Sequence, residues 1–211
     1  MSISRDEFLE WIKNCAAILK ENREYLIDLD SAIGDGDHGA NMDRGFRAVM
    51  SKMNEVEDKD IGTIAKTVGM TLLSTVGGAG GPLYGTFYLQ IGMKSAGMME
   101  LKLEDWATAL EAAVDGVVMR GKAELGDKTM VDALTPAVVS LKESLNGSVP
   151  IGDALEKSAD AAKQGMVDTI PLVAKKGRAS YLGERSAGHQ DPGATSSYLI
   201  LQVAADTWGD N

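Results

Sequence analysis

At 211 residues, 44% of them hydrophobic, and with a formal net charge of −10, the chain has enough apolar material for one sizeable core. Its acidic balance argues against nucleic acid or an anionic membrane as partner, because phosphate-rich surfaces attract Lys and Arg. Cys15 is the only cysteine, which excludes an intramolecular disulfide; with no secretory h-region and no apolar run of about 18 residues, a soluble cytoplasmic protein is expected.

The helical period dominates the chain. From Phe8 the apolar positions Leu9, Trp11, Ile12, Cys15, Ile18, Leu19, Leu26 and Leu29 recur at steps of three and four, and Ser4 with Glu7 has capping-box spacing. A second helix is predicted over 38–53, with Met42, Phe46, Val49 and Met50 on one side, and a third over 61–76. Glycines 77, 78, 80 and 81 end the third, and Pro82 suits the first turn of a fourth over 83–96. A fifth runs over 103–120 and stops at Gly121; a sixth, capped by Asp127 or Thr129, reaches about residue 145. The seventh spans 150–173, and the Asp191-Pro192 pair, an N-cap and first-turn proline, opens the last, 192–207. The expectation is therefore an all-α fold of eight helices without strands, in one domain over residues 1–211. The polar stretch 174–190 is too long for a plain helix connection, and long ordered loops are usually functional.

Between the first two helices stand Asp30, Asp35 and Asp37, followed by His38. Carboxylates at this density repel unless a cation sits among them, and hard divalent cations prefer oxygen ligands. The segment reads as a magnesium-type site; the competing reading is a set of turn and cap carboxylates at a helix junction. Residues 34–39 match the dinucleotide pattern G-x-G-x-x-G, but they follow an amphipathic helix rather than a strand, and two aspartates would repel a pyrophosphate. An EF-hand is excluded because Phe46 stands where the bidentate Glu is required, and there is no Walker A sequence.

His38 and Asn41 sit one turn apart at a helix start, which suits phosphate oxygens; His38 serves equally well as a cap or partly buried polar residue. The loop 77–81 reads as a phosphate cradle or as a plain glycine turn. Met130 either lines an apolar slot for a base or is a core methionine. Arg178 is the cation best placed to meet a phosphate, and Asp191 is an N-cap able also to touch a ligand. These features all lie at helix N-termini or in the loops before them, which puts a site at one end of a helical bundle.

Taken together, residues 29–46, 77–82, 126–130, 177–181 and 191–194 resemble the nucleotide-binding L subunits of dihydroxyacetone kinases, in order and nearly end to end. The resemblance implies a barrel of eight antiparallel helices. It implies that Asp30, Asp35 and Asp37 bind two Mg2+ ions on ADP (ATP when charged), and that His38, Asn41, Gly78, Ala79, Gly80, Gly121, Met130, Arg178, Asp191, Pro192 and Gly193 contact the nucleotide. No catalytic group is expected from this chain, because in the family the sugar is held on a histidine of the partner K subunit. Gly80 departs from the family, where serine is frequent, so backbone N–H would replace a hydroxyl contact there.

The form of the 183–190 loop and the lack of a substrate domain favour the free subunit, recharged by a phosphohistidine protein of the sugar phosphotransferase system (the M subunit); a homodimer is also expected. Two alternatives stand beside it: an ATP-exchanging kinase domain serving another acceptor such as a fatty acid, and a non-catalytic nucleotide-sensing module.

Overall fold

The structure, a computed structural model, describes residues 2–209. Nine α-helices are found among them: α1 (Arg5–Glu21), α2 (Arg23–Ile33), α3 (His38–Met50), α4 (Ile61–Thr75), α5 (Gly80–Lys94), α6 (Leu103–Gly121), α7 (Met130–Asn146), α8 (Ile151–Asp168) and α9 (Pro192–Trp208). The expected first helix is two. Asn22 interrupts it, with its backbone N–H and its Nδ2 both donating to the Ile18 carbonyl at 2.9 Å, a local bond that competes with helix continuation. The remaining eight helices pack in a closed ring, α1–α3–α4–α5–α6–α7–α8–α9 and back to α1, and α2 lies against α3 and α9. The eight-membered barrel is thus present, with one helix added outside the ring.

Three boundaries differ from the sequence reading. Helix α3 stops at Met50, and Met53–Glu55 is a separate 3-10 turn. Helix α8 stops at Asp168, where Thr169 turns its Oγ1 onto the Met166 carbonyl at 2.6 Å and Pro171, which has no N–H, follows. Helix α5 starts at Gly80, so the end of the glycine loop is its first turn. One short antiparallel strand pair also exists, Ile3 opposite Leu101 and Ser4 opposite Glu100, closing the chain start onto the α5–α6 connection.

The core fills the ring. At its end away from the cavity described below, Trp11, Trp106 and Trp208 meet with ring centroids 5.0–5.5 Å apart, and Trp11 donates its indole N–H to the Ile200 carbonyl at 3.0 Å. Helices α4 and α5 approach through paired glycines. A methyl added at Gly69 would lie 2.8 Å from the Gly85 carbonyl oxygen, and one at Gly92 would lie 2.8 Å from that of Gly62. This backbone-close antiparallel hairpin fixes where its connecting loop, 76–79, can stand.

Candidate functional site

Asp30 lies on the last turn of α2, and its Oδ2 accepts the N–H groups of Asp37 (2.8 Å) and His38 (3.1 Å). That oxygen caps the start of α3, so the junction-cap reading is right for part of Asp30. Gly36, at φ +72°, makes the return possible. Ligand oxygens from Asp30, Asp35 and Asp37 all lie within 4.8 Å of one another, with Asp35 and Asp37 exposed and Asp30 half-buried. Arg178 Nη2 approaches Asp35 Oδ2 at 3.1 Å. An oxygen-only donor set, open to solvent and carrying more negative charge than one guanidinium offsets, fits a hard divalent cation.

These acids border a cavity of about 470 Å³. The N-termini of α3, α5, α7 and α9 converge on it through His38, Gly80, Met130 and Pro192, while α2, α4 and α6 end beside it. Neighbouring ring helices thus alternate in direction, and several positive dipole ends face one space. Every site residue expected from the sequence lines this cavity.

Gly78, at φ +61°, borders it with nothing within 4 Å of where a Cβ would stand, so glycine is there for its conformation and leaves backbone open to the cavity. Ala79 caps α5 without a side-chain bond, leaving first-turn N–H groups for a ligand. The loop is buttressed from α3, where Arg44 donates Nε to the Thr75 carbonyl (3.0 Å) and Nη2 to Asn41 Oδ1 (2.6 Å). Val76, Leu83, Val117 and Val131 give the cavity an apolar wall beside Met130, suited to a flat heterocycle. Met130 is itself buried, so it is both core and lining.

The floor is a hydrogen-bonded network that sequence reasoning missed. His38 Nε2 meets Ser196 Oγ at 2.8 Å, and Tyr84 Oη meets Ser196 Oγ at 2.6 Å and Ser197 Oγ at 3.0 Å. Burial pushes the His38 imidazole below its ordinary pKa, opposed by the charges of Asp30 and Asp37, and pushes the Tyr84 phenol up to about 12. Asp191 is raised to about 7 by burial, opposed mainly by the Ala194 N–H that its Oδ2 accepts at 2.7 Å.

Lys128, Arg120 and Lys176 also line the cavity and were not foreseen as site residues. Lys128 is nearly fully buried, and that burial lowers its pKa despite Asp191 and Asp132 nearby, while its ammonium is held by backbone carbonyls. The one sequence cue was its place in the glycine-bracketed turn 121–129.

The DAK2 domain family matches residues 32–206. The chain is 48% identical over 205 residues to the ADP-binding subunit DhaL of the PEP-dependent dihydroxyacetone kinase of Escherichia coli, covering 97% of this chain and 98% of that one. It is 40% identical to the corresponding PTS-dependent subunit of Lactococcus lactis, covering 94% and 95%. Among solved structures it resembles the native dihydroxyacetone kinase of C. freundii, with a TM-score of 0.73 and 26% identity over 94% of this chain and 34% of that one. The complex of that kinase with AMP-PNP and Mg2+ matches with a TM-score of 0.69 and 28% identity, over 94% of this chain and 33% of that one.

Proposed function

The chain belongs to the DAK2 domain family, and from that premise we propose that it is the ADP-binding subunit of a phosphoenolpyruvate-dependent dihydroxyacetone kinase. It acts as one component of a phosphotransferase complex whose partners are a dihydroxyacetone-binding K subunit and a phosphohistidine M subunit. The observation that carries the reading is the oxygen-only acid cluster facing converging helix N-termini across one cavity. Bound ADP with magnesium would supply the phosphoryl acceptor and the charge neutralisation that in-line transfer needs.

The chain's own residues position and neutralise. Asp30, Asp35 and Asp37 hold the metal, and we infer two ions from the family resemblance. Gly78, Ala79 and Gly80 offer backbone N–H to the phosphates. His38 and Asn41, at the start of α3, and Asp191, Pro192 and Gly193, at the start of α9, contact the nucleotide. Gly121 and Met130 border its base, and Arg178 reaches over from the long loop. No proton-transfer group is assigned to this chain.

We further propose one domain over residues 1–211, a homodimer and a cytoplasmic location. No helix among the described residues is long and apolar enough to cross a membrane.

Purification followed by mass spectrometry tests the reading: ADP and magnesium should accompany the protein, and adding the phosphohistidine donor should convert that ADP to ATP. Rapid exchange with free ATP would instead indicate a direct ATP-using kinase, and an empty, inert protein a sensor.

A further inference from the structure

Lys128 stands in left-handed backbone (φ +63°) with its side chain only 1% exposed, two costly choices for a lysine. Its Nζ donates to the carbonyls of Thr169 (2.8 Å), Leu172 (3.1 Å), Ile170 (3.4 Å) and His189. No carboxylate among the described residues lies within ion-pair distance of it. Residues 169–172 follow α8, and His189 precedes the Asp191 cap of α9. One ammonium therefore bonds both ends of the polar segment between those helices.

Two further bonds close the same neck: the Asp191 N–H to Thr169 Oγ1 (3.0 Å) and the Gly188 N–H to the Ile170 carbonyl (2.8 Å). Beyond the neck the segment has little apolar anchorage. Ala174 and Ala179 form a small cluster with Ile33 of α2, separate from the main core. The segment carries Arg178 to Asp35.

We propose that Lys128 is a positioning residue that clasps both ends of the 169–190 segment and thereby holds Arg178 against the acid cluster of the nucleotide site. The inference rests on the function proposed above. A mere cap of the α8 C-terminus would need the carbonyls of 169–172 but not that of His189, and would have no link to Arg178.

The test is a double-mutant cycle in the full chain with Lys128→Met, Arg178→Ala and the pair, reading ADP affinity with magnesium, hydrogen exchange of 173–188, and helicity. Each single change should weaken ADP about tenfold, and Lys128→Met should add no more than about twofold in the Arg178→Ala background. Lys128→Met should also speed exchange in 173–188 while leaving α4 and α5 protected. Multiplicative losses, or unchanged exchange in that segment, would overturn the proposal.

If Lys128→Met does not fold, Lys128→Gln carries the same cycle with the same criteria, and Lys128→Arg should recover part of the affinity. A wild-type chain that binds no ADP would defeat the functional reading, while the exchange measurement would still decide whether Lys128 clasps the segment.

Discussion

Two segments reach the same cavity and are held there by different physics. The loop between α4 and α5 is fixed by a seam of glycines that brings two backbones together, so its position follows from core packing. The segment between α8 and α9 is fixed by side-chain-to-backbone hydrogen bonds and one buried ammonium, with a small apolar cluster of its own. Close packing has one arrangement and tolerates no added atom, whereas a polar neck can open locally without unfolding the barrel. The glycine-loop side of the cavity is thus scaffold, and the Arg178 side is the more readily released.

The largest expected effect breaks the first side. Gly69→Val, which forces a branched side chain against the Gly85 carbonyl, should cost about 3 kcal/mol in a denaturation experiment. A loss below about 0.5 kcal/mol would mean the helices are not so close.

Next come the acids between the two sides. Asp35→Ala and Asp37→Ala should each weaken magnesium–ADP at least about tenfold, roughly 1.4 kcal/mol, with little change in Tm because both are exposed. Asp30→Ala should do the same and also lose about 1 kcal/mol of stability, since its Oδ2 caps α3. Equal melting of all three would contradict that distinction.

Smaller again is Ser196→Ala, which leaves the buried Tyr84 hydroxyl and the His38 imidazole each short of one partner; about 1 kcal/mol of stability should be lost. An unchanged melt would show the network to be dispensable.

Asp191→Asn stands apart from that order, because Asn also caps helices well and what the change does to stability depends on pH. Its signature is a pH dependence. Asp191 titrates near 7 in the fold and near 3.9 unfolded, so between those values the native state holds the extra proton. This contribution favours the fold at about pH 4 and is lost as pH rises through 7. In nucleotide-free protein, the stability of Asp191→Asn relative to wild type should therefore rise from pH 5 to pH 8; a flat difference would mean the carboxyl is not buried in the fold.

Sequence patterning located most of this molecule because most of it is governed by local rules. The capping boxes at Ser4 and Thr129, the Asp191-Pro192 start and the three-and-four apolar steps each depend on neighbours within one turn. What escaped depends on tertiary context or on competing local bonds. The break at Asn22 turns on one side-chain bond that periodicity does not register. The start of α5 at Gly80 puts glycines in a helical turn against their propensity, where the close approach of α4 and α5 favours them.

Tyr84 and Ser196 meet across α5 and α9, more than a hundred residues apart. Lys128 was least legible of all: lysine is ordinarily exposed, and its burial makes sense only once carbonyls from 41 to 61 residues downstream are in place. The acid cluster could be read as a cation site from charge density alone, and the competing cap reading is met in the fold at Asp30.

Calorimetric titration of ADP into the chain, stripped of co-purifying nucleotide, with and without magnesium, decides whether the acid cluster holds the nucleotide through a metal ion. Tight binding that requires magnesium, and that Asp35→Ala weakens at least about tenfold, is expected. Binding of equal strength without magnesium, or undiminished in that variant, would contradict it.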